Sequence, residues 1–164
     1  METETAAPEQ VPARGSEPSR SWWSALWYWA PLVAWLAAIF YFSTDVMSSE
    51  HTSRFVEPLL RHLLPGVSPE TVELLHKGVR KCGHLSEYAL VSLLAFRGVR
   101  AGRPERFTWR WAAIAFGIAA LYALTDEFHQ TFVSSRTGNL GDAFVDMAGA
   151  AAALLVLARV RRER

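Results

Sequence analysis

Residues 122–149, YALTDEFHQTFVSSRTGNLGDAFVDMAG, crowd Asp126, Glu127, His129, Arg136, Asp142 and Asp146 into one short stretch. The segments on either side, 111–124 and 147–158, carry no charge at all. Ionisable side chains are costly in hydrocarbon and, where they occur near it, face a bundle interior or a wet cavity. These groups must therefore sit where two lipid-facing helices end.

With 164 residues, 51% hydrophobic, seven Trp and 20% charged, the bulk composition still fits a soluble domain. Distribution decides the class, because the apolar residues gather in four blocks, 25–42, 85–96, 111–124 and 147–158, and the charges crowd the joints. Only the first block approaches the roughly 18 to 20 apolar residues that span a bilayer core. The others reach that length only by taking in polar residues at one end: 82–87, 125–130 and 142–146. A soluble helical bundle is the alternative, and the fourteen residues 111–124, which show no polar face, argue against it. The expected fold is all-α: an integral membrane bundle of four transmembrane helices at about 25–43, 82–99, 109–130 and 142–160.

Residues 1–21 are rich in Glu, Pro, Ala and Ser and lack a hydrophobic period, the signature of a disordered tail. The acidic segment before the first apolar block, and the absence of a small-residue cleavage pattern after it, separate that block from a signal peptide. Trp22, Trp23, Trp27, Tyr28 and Trp29 gather at its start, as in an aromatic belt, and Pro31 suggests a mild kink. In the connection 45–80, Val56, Leu59, Leu60, Leu63 and Leu64 recur at helical spacing. Ser68-Pro69-Glu70 then marks a new helix start, followed by Val72, Leu74, Leu75 and Val79. One or two amphipathic helices on the membrane surface are expected there, with a solvated loop as the other reading. His51, His62 and His76 in this connection are expected to be solvated.

Arginines set the orientation. Residues 97–110 carry five (Arg97, Arg100, Arg103, Arg106, Arg110), and the tail adds Arg159, Arg161, Arg162 and Arg164, whereas 131–141 has only Arg136. Four spans then put both termini, including the short basic tail 161–164, on the cytoplasmic side of the cell membrane. Lys81 and His84, Asp126 to Gln130, and Asp142 with Asp146 all fall on the other side. Helical phase agrees: Lys81, His84 and Tyr88 share one face, as do Tyr122, Asp126 and Gln130, and Asp142, Asp146 and Gly149.

The pattern Lys81-x2-His84-x3-Tyr88, Tyr122-x3-Asp126-Glu127-x2-Gln130, then Arg136 and Asp142-x3-Asp146-x2-Gly149 resembles the VanZ-like family of small bacterial membrane proteins. The likeness covers about the second half of the chain with its spacings intact. It departs at Asp146, where many members have Asn, and at Ser134-Ser135, where Pro-Gly is common. The family is named for low-level resistance to teicoplanin, so the resemblance implies a membrane address and a cell-envelope setting. It does not imply a settled chemistry.

Three readings of the polar residues follow. In the first, Lys81 and Arg136 hold a phosphate, with His84 as general acid or base oriented by Asp126 or Glu127, and Tyr88, Tyr122 and Gln130 completing the binding surface. The run Ser135-Arg136-x5-Asp142-x3-Asp146 is also similar to a type 2 phosphatidate phosphatase pattern, with Asp142 in the place of its nucleophilic histidine. In the second, Asp126, Glu127, Asp142 and Asp146 supply oxygen ligands for a divalent metal, and His84 and His129 widen the choice towards zinc. In the third, the stripes fix helix register through pairs such as Asp126 with Arg136 and Lys81 with Asp142. Asp142 also falls where a helix N-cap is favourable. The convergence of eight polar residues on one side favours a pocket that binds or modifies a phosphorylated lipid or lipid-linked envelope precursor. The alternative is a non-enzymatic binding or carrier protein. Cys82 stands alone and without an activating motif, and Glu87 is placed to orient His84. The net charge of +1, with arginines placed by topology, speaks against nucleic acid. The small-residue run 148–153 should pack on helix two or three and bring Asp142 and Asp146 to His84.

Overall fold

The computed structural model describes residues 22–43, 49–132 and 139–162. The expected disordered tail, Arg136 and the Ser134-Ser135 turn lie outside the described residues. Five helices and no strand occur among those described: α1 (Trp22–Phe42), α2 (Ser49–Leu63), α3 (Pro69–Arg100), α4 (Trp109–Gln130) and α5 (Leu140–Arg162). Three of them, α1, α4 and α5, are long and apolar enough to cross a membrane.

Local chemistry starts and stops these helices. Ser68 caps α3, accepting from the Thr71 backbone N–H at 3.3 Å, with Pro69 at the first helical position as its motif predicts. At the other end Ala101 takes a left-handed conformation (φ 42°) and returns its N–H to the Arg97 carbonyl. Gly102 follows at φ 74°, close under the Tyr28 hydroxyl. Thr108 caps α4 through the Trp111 N–H at 3.3 Å. Asn139 caps α5, its side-chain oxygen accepting from Gly141 N–H at 2.9 Å. The cap expected at Asp142 is thus corrected: that residue lies inside the first turn, where its charge still opposes the helix dipole.

α3 is the central helix, packing against α1, α2, α4 and α5. The 32-residue α3 absorbs what the sequence divides into a second surface helix and a membrane helix beginning near 82. Gly78 and Gly83 flank that junction, and glycine weakens a helix interior by only about 1 kcal/mol. One consequence is a correction at His76, which is buried rather than solvated: Val72 and His76, a turn apart, share a covered face of α3.

The packing runs opposite to that of a soluble bundle. Ala112, Ala115, Ala119 and Ala123 line the inner face of α4, while Leu121, Leu124 and Phe128 point outward; on α5, Ala143 and Ala150 are inside and Phe144, Leu155 and Val156 outside. Exposed apolar side chains on this scale are what hydrocarbon, not water, accommodates. Small residues inside let helices approach where lipid supplies no hydrophobic drive for association. α5 comes close to α3 at Gly149. A Cβ there would fall 2.9 Å from both the Cα and the carbonyl carbon of Leu85 on α3, and closer still to its oxygen. Nearby, the Ser92 hydroxyl of α3 donates to the Ala150 carbonyl of α5 at 3.1 Å.

Candidate functional site

The contact between α3 and α5 at Gly149 fixes what stands one turn earlier on α5. Asp146 is fully buried (0% exposed), and its Oδ1 lies 3.4 Å from Nδ1 of His84 on α3. The small-residue run therefore brings Asp146 to His84 as the sequence implies. Asp142, one turn further out and half-buried, takes no ion pair among the described residues.

α4 supplies the rest. Asp126, Glu127 and Gln130 are each buried to 4% exposure or less. The Gln130 amide donates to Asp126 Oδ2 at 3.0 Å along one face of α4, while Asp126 Oδ1 is without a hydrogen-bond partner among the described residues. Glu127 Oε2 accepts the Asn139 backbone N–H at 2.7 Å and so ties the end of α4 to the start of α5. Asn139 thus holds both α5 and Glu127. Sequence reasoning missed it, although an Asn two residues before Gly141, at the edge of a helical run, is a recognisable capping signal.

Tyr88 is fully buried, its hydroxyl without a hydrogen-bond partner among the described residues and its ring 6.4 Å from that of Tyr122. The Tyr122 hydroxyl is committed elsewhere, donating to the Leu36 carbonyl of α1 at 2.6 Å. Tyr122 therefore secures α4 to α1. Tyr122→Phe should cost about 1 kcal/mol; an unchanged thermal midpoint would show that this bond is not made. His129 is half-buried with its ring 4.6 Å from Phe40, away from His84 and Asp146.

Lys81 is exposed and takes no ion pair among the described residues, so its expected pairing with Asp142 is not formed. The interior instead holds acceptors in excess. Among the described residues, both Asp146 oxygens and one of Asp126 have no hydrogen-bond partner, and buried carboxylates of this kind require a proton or a donor. Glu87 is half-buried, and its carbonyl receives the Trp35 indole N–H. Among the described residues no three His, Cys, Asp or Glu side chains gather closely enough to hold a metal ion. Cys82, the only cysteine of the sequence, is exposed.

An all-helical chain with lipid-type surfaces and three helices fit to cross a bilayer has the architecture of a multi-pass membrane protein. A model of the VanZ/LLP1 family matches residues 28–161, and the chain belongs to that family. No curated protein and no solved structure matches it.

Proposed function

We propose that α3, from about residue 82 onward, is a fourth span, that both termini are cytoplasmic, and that the polar ends of α3, α4 and α5 form an extracytoplasmic site for the headgroup of a phosphorylated envelope lipid. The observation that carries this reading is the contact of His84 with the fully buried Asp146, together with carboxylate oxygens on α4 and α5 that have no donor among the described residues. A floor of acceptors suits the hydroxyl or ammonium donors of a headgroup. Lys81 at the rim and Arg136 from the α4–α5 connection supply positive charge for its phosphate. A His–carboxylate pair beside a bound phosphoester is also the arrangement of a general base, with Asp146 holding the imidazole. Whether or not turnover follows, binding comes first.

The test is native mass spectrometry of the detergent-purified chain, comparing wild type with Arg136→Ala. A phosphorylated lipid retained by the wild type and depleted about tenfold in the variant is the expected result; a loss of that size corresponds to about 1.4 kcal/mol. Wild-type protein that emerges without lipid, or with the same lipid in both forms, would overturn the reading and leave the polar stripes as helix-packing contacts.

A further inference from the structure

The opposite end of the bundle carries a second site. His84 and Arg97 are thirteen residues apart on α3, and Asp146 and Arg161 fifteen apart on α5, so about 20 Å separates the two ends. At the arginine end a cavity of about 350 Å³ opens between α1, α3 and α5. Its walls combine Arg97, Arg100 and Arg161 with Tyr28, Leu93 and Leu157. The size lies within the range of small-ligand sites.

Its arginines are held but not neutralised. The Arg97 guanidinium lies 5.4 Å from the Tyr28 ring and 5.6 Å from the Trp27 ring, and donates to the Tyr28 carbonyl at 3.2 Å. Arg100 is fixed through Nε to the Glu105 carbonyl at 3.0 Å, which leaves its terminal nitrogens clear of that bond. No carboxylate pairs with Arg97, Arg100 or Arg161 among the described residues. Three uncompensated guanidinium groups around one cavity are a site for an anion with several oxygens.

The surroundings say which anion. Trp22, Trp23, Trp27 and Trp109 stand exposed at the same end, as side chains do at the boundary between headgroups and hydrocarbon. Below the arginines the lining turns to Leu93, Phe96 and Leu157, in the direction of the bundle's apolar middle. We infer that this cavity binds the headgroup of an anionic phospholipid, its phosphate on Arg97, Arg100 and Arg161 and the upper part of an acyl chain against Leu93 and Leu157. Basic cavities between membrane helices recognise such lipids.

The experiment uses the full chain in nanodiscs of matched phosphatidylcholine and phosphatidylglycerol, with retained lipid counted by native mass spectrometry. Wild type should retain phosphatidylglycerol preferentially, and Arg100→Gln with Arg161→Gln should lose about fivefold of that preference per arginine. Arg161→Gln alone, in the last turn of α5, reads the same effect without disturbing the α3–α4 turn. Arg106→Gln with Arg110→Gln, outside the cavity, should leave the preference intact; an equal loss there would mean diffuse surface attraction and overturn a built site. No preference in the wild type, or an unchanged one in Arg161→Gln, would overturn it too. Displacement of the lipid by excess inorganic phosphate would identify a soluble anion as the ligand and reject the lipid. None of these outcomes depends on the His84 end.

Discussion

Gly149→Val should destabilise the protein by about 3 kcal/mol or more, because the position has no room for a side chain and its neighbour cannot yield. The obstacle is Leu85 backbone, with Cα and carbonyl carbon 2.9 Å from where even an alanine Cβ would lie. A flexible side chain can rotate away from such a contact. A helix backbone cannot, so α5 and α3 have to separate, and two other features separate with them: the Ser92 hydrogen bond to the Ala150 carbonyl and the contact between His84 and Asp146. The measurement is the thermal midpoint in detergent together with the yield of monodisperse protein. Gly149→Ala should give a smaller loss of the same sign. If both variants match the wild type, the two helices are not in contact at this position.

The second large effect concerns the buried carboxylate of Asp146. With His84 replaced by Leu, Asp146 keeps its burial and loses its imidazole partner, a change that costs about 3 to 5 kcal/mol when an uncompensated charge results. Asp146→Leu should cost less, because the His84 side chain is 16% exposed and has access to water. The double variant should be more stable than the sum of the two single losses predicts, by about 1 to 3 kcal/mol. Thermal unfolding of the four proteins closes the cycle. Additive losses would mean that the two side chains do not interact energetically, and the proposed base–carboxylate pair would go with them.

Much of the fold was legible because the physics behind it is one-dimensional. Charge-free runs such as 111–124 mark helices, and Ser68-Pro69 marks a helix start. The burial of Asp126 and Gln130 on one face of α4 agrees with their helical phase, and the alanine run 148–153 indicated which surface would bring Asp146 inward to His84. What stayed hidden depends on contacts between distant parts of the chain. Nothing local says that Tyr122 will use its hydroxyl on Leu36, eighty-six residues away, rather than on a ligand. Likewise Lys81 shares helical phase with His84, yet it ends up exposed, because phase gives a direction around the helix and not how far the neighbouring helices reach. The continuity of α3 was concealed by composition: residues 69–81 read as polar surface and 85–96 as membrane, and the backbone does not record that change.

The closeness of Gly149 to Leu85 has a mechanical side. Leu85 stands sixteen residues after Pro69 and fifteen before Arg100, almost the midpoint of α3, with about 24 Å of helix on one arm and 22 Å on the other. Its close contact with Gly149 of α5 is therefore placed like the pivot of a seesaw. A tilt of α3 about that point moves the Pro69 end and the Arg97–Arg100 end by nearly equal distances in opposite directions, while His84, next to the axle, hardly moves.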